Sequence, residues 1–368
     1  MERAVIKSCE RAVEFAGRQL RRLVEEHPDY FPMYTVNGRW EHGGEKWTNW
    51  CEGFLGGQLW LIYERTGDQW WRRKAEHYNR LIEHRKTDRD VHDLGFLFMP
   101  TWRKWYDLTG DARVNEVVIE AGRTLAKRFR RKGAYLCSFI GPESLFIDIM
   151  MNVGIIFYAA RETDDEELWN VATRHCLTTR RYLVRGDGST AHEGLFDTET
   201  GEFLRQSTHQ GWRGDSCWSR GQAWALSGFA TVYRYTGDER FLDTARRCAD
   251  YYMDRAPRHG VPPNDLDRPE PAVPYESSAA AIAADGLLKL AALVEDAADS
   301  VAYRSYAERI LKTLTGPEFL ADATEGWEGI LKHGIYHLRK GLGVDESVMW
   351  GDYFFLKAVT GVLQDERD

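Results

Sequence analysis

Asp148 lies in Ser144-Leu145-Phe146-Ile147-Asp148-Ile149-Met150-Met151-Asn152, a carboxylate crowded on both sides by apolar residues. Such a group loses its hydration and has to be paired, neutralised or put to use. Desolvation raises a carboxyl pKa, which suits Asp148 to hold a proton near neutral pH and act as an acid. The competing reading is an Asp that caps a helix N-terminus and does nothing else. Asp93 enters a second apolar run, His92-Asp93-Leu94-Gly95-Phe96-Leu97-Phe98-Met99, and carries the same two readings. If both acids reach one site, their like charges drive one pKa up, so that one keeps a proton while the other ionises.

Other side chains of suitable type cluster in Thr208-His209-Gln210-Gly211-Trp212 and Cys217-Trp218-Ser219-Arg220-Gly221-Gln222-Ala223-Trp224. Arg220 beside Gln210 suits a two-bond grip on a substrate carboxylate. Trp218 and Trp224 suit stacking on sugar rings. The alternative pairs Arg220 with Asp215 and buries both Trp residues in the core. His192 follows Gly186 and Gly188, which let the backbone approach a ligand. Trp47 or Trp50 forms a wall of the cleft or part of the core. The stretches His333–His337 and Glu346–Phe355 suit a subsite for the far part of a substrate. No Cys/His cluster, phosphate loop, G-x-S-x-G elbow or dinucleotide fingerprint is present, so neither metal nor cofactor is expected.

The elements that have to position these residues are helical. Tyr63-Glu64-Arg65-Thr66-Gly67-Asp68, Tyr106-Asp107-Leu108-Thr109-Gly110-Asp111 and Tyr233-Arg234-Tyr235-Thr236-Gly237-Asp238 repeat one punctuation mark. In each, apolar residues end a helix, Gly takes the left-handed position after it, and Asp caps the next helix. Weaker copies fall at Arg161–Asp165 and at 293–299. The first two marks are 43 residues apart, the length of two helices with their connections. Repeated helix pairs form an open solenoid or a closed toroid. Segments 39–58, 86–104, 132–152, 185–222, 257–280 and 326–352 carry the reactive residue types. A closed barrel of six pairs gathers all six at one mouth. Residues 185–197 and 201–205 read as a small hairpin there, with 133–139 as a shorter extended candidate.

Composition bounds the rest. The chain has 368 residues, 43% hydrophobic, with 14 Trp and a net charge of −8. An acidic balance argues against a nucleic-acid or anionic-membrane surface. The six cysteines form no regular framework, no apolar run approaches bilayer length, and the N-terminus is charged; a cytoplasmic protein is expected. No Pro- or Ser-rich linker divides residues 1–368, so a single domain is expected.

Taken together, Trp47-Thr48-Asn49-Trp50, His92-Asp93-Leu94-Gly95-Phe96, Asp148-Ile149-Met150-Met151-Asn152, Thr208-His209-Gln210-Gly211, Trp218–Trp224 and Trp350-Gly351-Asp352-Tyr353 resemble, in order, the unsaturated glucuronyl hydrolases of glycoside hydrolase family 88. The resemblance implies an all-α fold, an α6/α6 barrel, with no cofactor. It implies a small unsaturated oligosaccharide as substrate, left by a polysaccharide lyase with a C4=C5 double bond in its terminal uronate. It makes Asp148 the general acid and base and Asp93 its partner, which would bond the uronate hydroxyls and help keep Asp148 protonated. His192, Gln210, Arg220 and Trp224 match positions that hold the unsaturated uronate, and Trp47 a stacking one; His92 and Trp218 are expected to bind substrate beside them. Rival readings are an unsaturated rhamnogalacturonyl hydrolase of the same fold, an inverting α/α-barrel glycosidase, and a non-catalytic sugar-binding toroid.

Overall fold

The computed structural model describes residues 3–41, 48–268 and 274–365. Its helices are α1 Arg3–Glu26, α2 Gly53–Thr66, α3 Gln69–Leu81, α4 Leu94–Phe98, α5 Trp102–Thr109, α6 Ala112–Ala126, α7 Ile149–Asn152, α8 Gly154–Thr163, α9 Glu166–Tyr182, α10 Ser219–Thr236, α11 Glu239–Arg255, α12 Ser277–Ala291, α13 Ala297–Leu314 and α14 Met349–Asp365.

The repeated turns form as their residues dictate. Gly67, Gly110 and Gly237 sit at φ of 69°, 66° and 63°, and each donates its N–H to the tyrosine carbonyl four residues back. Glycine reaches that left-handed conformation without steric cost. Asp68, Asp111 and Asp238 then accept from the backbone of Trp70, Arg113 and Arg240, opening α3, α6 and α11. The weaker copies work too, with Asp164 replacing Gly at φ 51° and Asp165 and Asp296 as caps.

Packing resolves the choice between solenoid and toroid. α2, α4, α7 with α8, α10, α12 and α14 touch in succession, and α14 returns to α2. The ring is closed, an α6/α6 barrel. Its inner helices are apolar almost all round, as buried helices are. Every residue of α10 from Ser219 to Ala230 is buried, and of α12 from Ser277 to Leu287. The outer helices bury one face only. In α11 that face is Phe241, Leu242, Ala245, Cys248, Ala249 and Tyr252.

The N-terminal ends of the inner helices share one mouth, where short strands gather. Glu193–Phe196 pairs with Phe203–Ser207, so the expected hairpin exists, although Arg185–His192 before it is mostly irregular. A third strand, Ser144–Phe146, pairs with Glu193–Phe196. Tyr135–Leu136 pairs with Phe129–Arg130. Among the described residues, no helix is long and apolar enough to cross a membrane.

Candidate active site

Asp148 follows the strand Ser144–Phe146 directly and takes the position before α7. Asp93 takes the same position before α4. Neither side chain makes a capping bond, so each stands where a cap would stand without acting as one. The Asp148 side chain is 14% exposed and Asp93 is buried.

Strand pairing decides what faces Asp148. Phe146 is in register with Glu193, and Ile147 donates its N–H to the His192 carbonyl at 3.0 Å. The next strand carries the chain to the turn at 208–211, where the backbone N–H groups of His209 and Gln210 point at His192 Nδ1, 3.1 and 3.3 Å away. A nitrogen that accepts carries no proton, so the neutral ring holds its hydrogen on Nε2. That nitrogen lies 3.6 Å from Asp148 Oδ2. Neither atom has a hydrogen-bond partner among the described residues, although both are buried. Burial, with Arg220 and His209 nearby, holds the His192 pKa well below its usual value, so the ring stays neutral.

Asp93 has a matching partner. His92 Nδ1 accepts from the Phe139 N–H at 3.1 Å, which turns its Nε2 hydrogen toward Asp93 Oδ1, 3.5 Å away. Burial pushes the His92 pKa down to about 3. Asn152 ties the two acids together. Its amide nitrogen lies 3.5 Å from Asp93 Oδ1 and donates to the Asp148 carbonyl at 3.2 Å. Its side-chain oxygen accepts from the Phe96 N–H at 2.8 Å. The crossing of α4 over α7 is close enough that a Cβ on Gly95 would fall 2.5 Å from Asn152 Cα.

The pKa shifts follow from these surroundings. Burial raises Asp148 from 3.8 to about 6, against the pull of Arg220, its own backbone N–H and His209. Burial, and then the charge of Asp148, pushes Asp93 well above the usual carboxylate range. The influence between the acids therefore runs opposite to the sequence reading. Burial holds up Asp148, and the charge of Asp148 helps keep the proton on Asp93.

Arg220 is placed otherwise than expected. It is 2% exposed, and Nη1 donates to Glu276 and to the Ile335 carbonyl, while Nη2 donates to Gln210 Oε1 at 2.5 Å and to the Tyr336 carbonyl at 2.9 Å. All four terminal N–H bonds are used within the protein, which rules out the open two-bond grip. Its partner is Glu276, not Asp215, which pairs with Arg213 instead. Trp218 and Trp224, each 1% exposed, are core residues and not open stacking faces. Trp218 lies under the guanidinium and the His192 ring, and Trp224 packs on Phe96 and Phe354. Trp47 lies outside the described residues. Half-buried Trp50 stacks on Tyr336, whose ring stacks in turn on Tyr34.

Sequence reasoning missed Glu276, Asn152 and His209. Glu276 enters an apolar helix just as Asp93 and Asp148 do, a signal that was available. His209 stood in the Thr208–Gly211 motif, but its own role was hidden, since its ring lies on Phe146 and 3.4 Å from Glu193 only through folding.

The chain that carries these acids has known relatives. The model for Glycosyl Hydrolase Family 88 matches residues 18–330. The chain belongs to glycoside hydrolase family 88. An unsaturated glucuronyl hydrolase of Bacillus sp. (strain GL1) is 36% identical, over 95% of this chain and 94% of its own. An unsaturated chondroitin disaccharide hydrolase of Streptococcus pneumoniae is 33% identical, over 86% and 83%. The crystal structure of an unsaturated glucuronyl hydrolase specific for heparin superposes with a TM-score of 0.90 at 30% identity, covering 99% of this chain and 98% of that one. Family membership makes the chain a glycoside hydrolase and removes the non-catalytic toroid.

Proposed function

We propose that this chain, acting as one catalytic barrel, hydrates the C4=C5 bond of a terminal unsaturated glucuronic acid and so releases it from the next sugar of a glycosaminoglycan-type disaccharide. The observation that carries the reading is Asp148 itself, with its pKa raised to about 6 and its buried Oδ2 set 3.6 Å from the His192 N–H. A carboxyl tuned to that range can give and take a proton near neutral pH. The substrate is a vinyl ether. Asp148 delivers its proton to C4, and positive charge develops at C5, shared with the ring oxygen. The Asp148 carboxylate then takes a proton from water as the water oxygen bonds to C5. The resulting hemiketal opens to a ketone at C5. Carbon 1 is left as a hemiacetal, which collapses and releases the next sugar.

The other roles follow from the geometry. The His192 N–H orients the Asp148 carboxylate or the reacting water. Gln210 gives its carbonyl oxygen to Arg220, which turns its NH₂ group away from the guanidinium and makes it available to the uronate. Arg220 is thus a positioning residue that acts through Gln210, and Asp93, holding its proton, donates to a uronate hydroxyl. Six free, buried cysteines support a reducing, cytoplasmic setting.

The test follows the absorbance of the unsaturated uronate for a panel of glycosaminoglycan and pectin disaccharides, with wild type and Asp148→Asn. Turnover in labelled water should place heavy oxygen on the opened uronate fragment. Label on the anomeric carbon, or full activity in Asp148→Asn, would overturn the assignment. Preference for the pectin products would favour the rhamnogalacturonyl reading.

A further inference from the structure

The inner helices carry their acids at one end, and behind these they line a second cavity, of about 560 Å³, whose cations come from farther along the helices. Neither Asp93 nor Asp148 lines it. Its wall takes a cation from each of five helices: Arg103 of α5, Arg161 of α8, Arg234 of α10, Lys289 of α12 and Lys357 of α14. The chain as a whole carries −8, so this concentration of positive charge does not follow from composition.

The neighbouring acids only partly offset it. Asp107 is taken up by Arg103 at 2.8 Å, and Glu162 accepts from Asn115 at 2.7 Å. Asp285 accepts from Lys357 at 3.0 Å, with Lys289 3.9 Å away. Lys289 directs its ammonium at Ser227 and Thr231, with hydroxyl contacts of 2.9 and 2.8 Å, so it offers the cavity no open donor. Burial, and the repulsion of Lys357 and Arg234, bring its pKa down to about 7 despite Asp285. No carboxylate lies within ion-pair distance of Arg161 or Arg234 among the described residues. Arg161 instead lies over the Tyr235 ring, 5.9 Å from its centre.

The same cavity has an apolar side, made by Phe96, Met99, Met151, Tyr235 and Phe354. Two guanidinium groups without carboxylate partners suit the several oxygens of a phosphoryl or sulfuryl group. Aromatic faces beside them suit a sugar ring, and the volume is that of a small-molecule site, larger than a bare oxyanion requires. We propose that this end of the barrel is a second binding site, for a monosaccharide-sized anion carrying a phosphate or sulfate group, held by Arg161 and Arg234 with Lys357 nearby. The site is separate from the catalytic mouth and does not depend on the reaction proposed there.

Calorimetric titration of the full chain at low ionic strength with glucose 6-phosphate, inorganic phosphate and glucose tests this. Arg161→Gln and Arg234→Gln are suitable variants, singly and together, because both side chains are exposed and unpaired and so can be replaced without disturbing the core. Saturable binding of glucose 6-phosphate is expected, weakened at least about tenfold in the double variant, with disaccharide turnover unchanged. Inorganic phosphate should bind more weakly and glucose not at all. No saturable binding, or binding undiminished in the double variant, would overturn the site. Equal binding of inorganic phosphate would overturn the sugar-ring half of the proposal, and equal binding of glucose the anionic half.

Discussion

Replacing Asp148 by Asn should stabilise the protein while removing its activity. The folded carboxyl titrates at about 6 and an unperturbed one at 3.8. Below 3.8 both folded and unfolded chains hold the proton, and the group contributes nothing to stability. As pH rises from there, the unfolded chain gives up its proton and the folded chain does not, so stability falls until about pH 6 and stays reduced above it. At 1.36 kcal/mol per pH unit, the cost is about 2 kcal/mol at pH 5 and about 3 kcal/mol at pH 8. These are ceilings, because the 14% exposure of the side chain lets water screen part of the charge. Asn keeps the shape, offers His192 an acceptor and carries no charge. Urea unfolding of wild type and Asp148→Asn at pH 5 and pH 8 should therefore show the variant more stable, and by a larger margin at pH 8. Turnover should drop at least about 100-fold, the scale of general acid–base catalysis. A variant no more stable than wild type at pH 8, or a gain equal at both pH values, would refute the claim that Asp148 is desolvated and strained when ionised.

Further outcomes follow from the same geometry. Because the reaction needs Asp148 protonated, kcat/KM should fall about tenfold per pH unit above about 6, measured by absorbance across pH 5–8. His209→Ala removes a group that lowers the Asp148 pKa, so the alkaline limb of that profile should move to higher pH. Arg220→Met strands the buried Glu276 carboxylate and should cost about 3–5 kcal/mol in denaturant unfolding. Gly95→Ala has no room against Asn152 and should push apart the helices behind Asp93 and Asp148, lowering kcat on the order of 100-fold with a smaller change in KM.

Local residue chemistry was readable because it acts over a few positions. The Gly-Asp punctuation, the helix pairs it separates and the unusual acids at 93 and 148 each depend on neighbours in the chain, and the structure keeps all of them. The family motifs carried the barrel class further than periodicity could, since the spacing of the turns left a solenoid and a toroid equally open. Only the contact of α14 with α2 distinguishes those two, and it joins residues about 300 positions apart. The same limit applies inside the site. Arg220 looked open because Glu276 lies 56 residues away and the Ile335 carbonyl 115. The proton position on His192 depends on backbone N–H groups at 209 and 210, brought to it by strand pairing. Sequence determined which groups can ionise; tertiary structure decided which keep their protons, because desolvation and charge–charge coupling are set by three-dimensional neighbours.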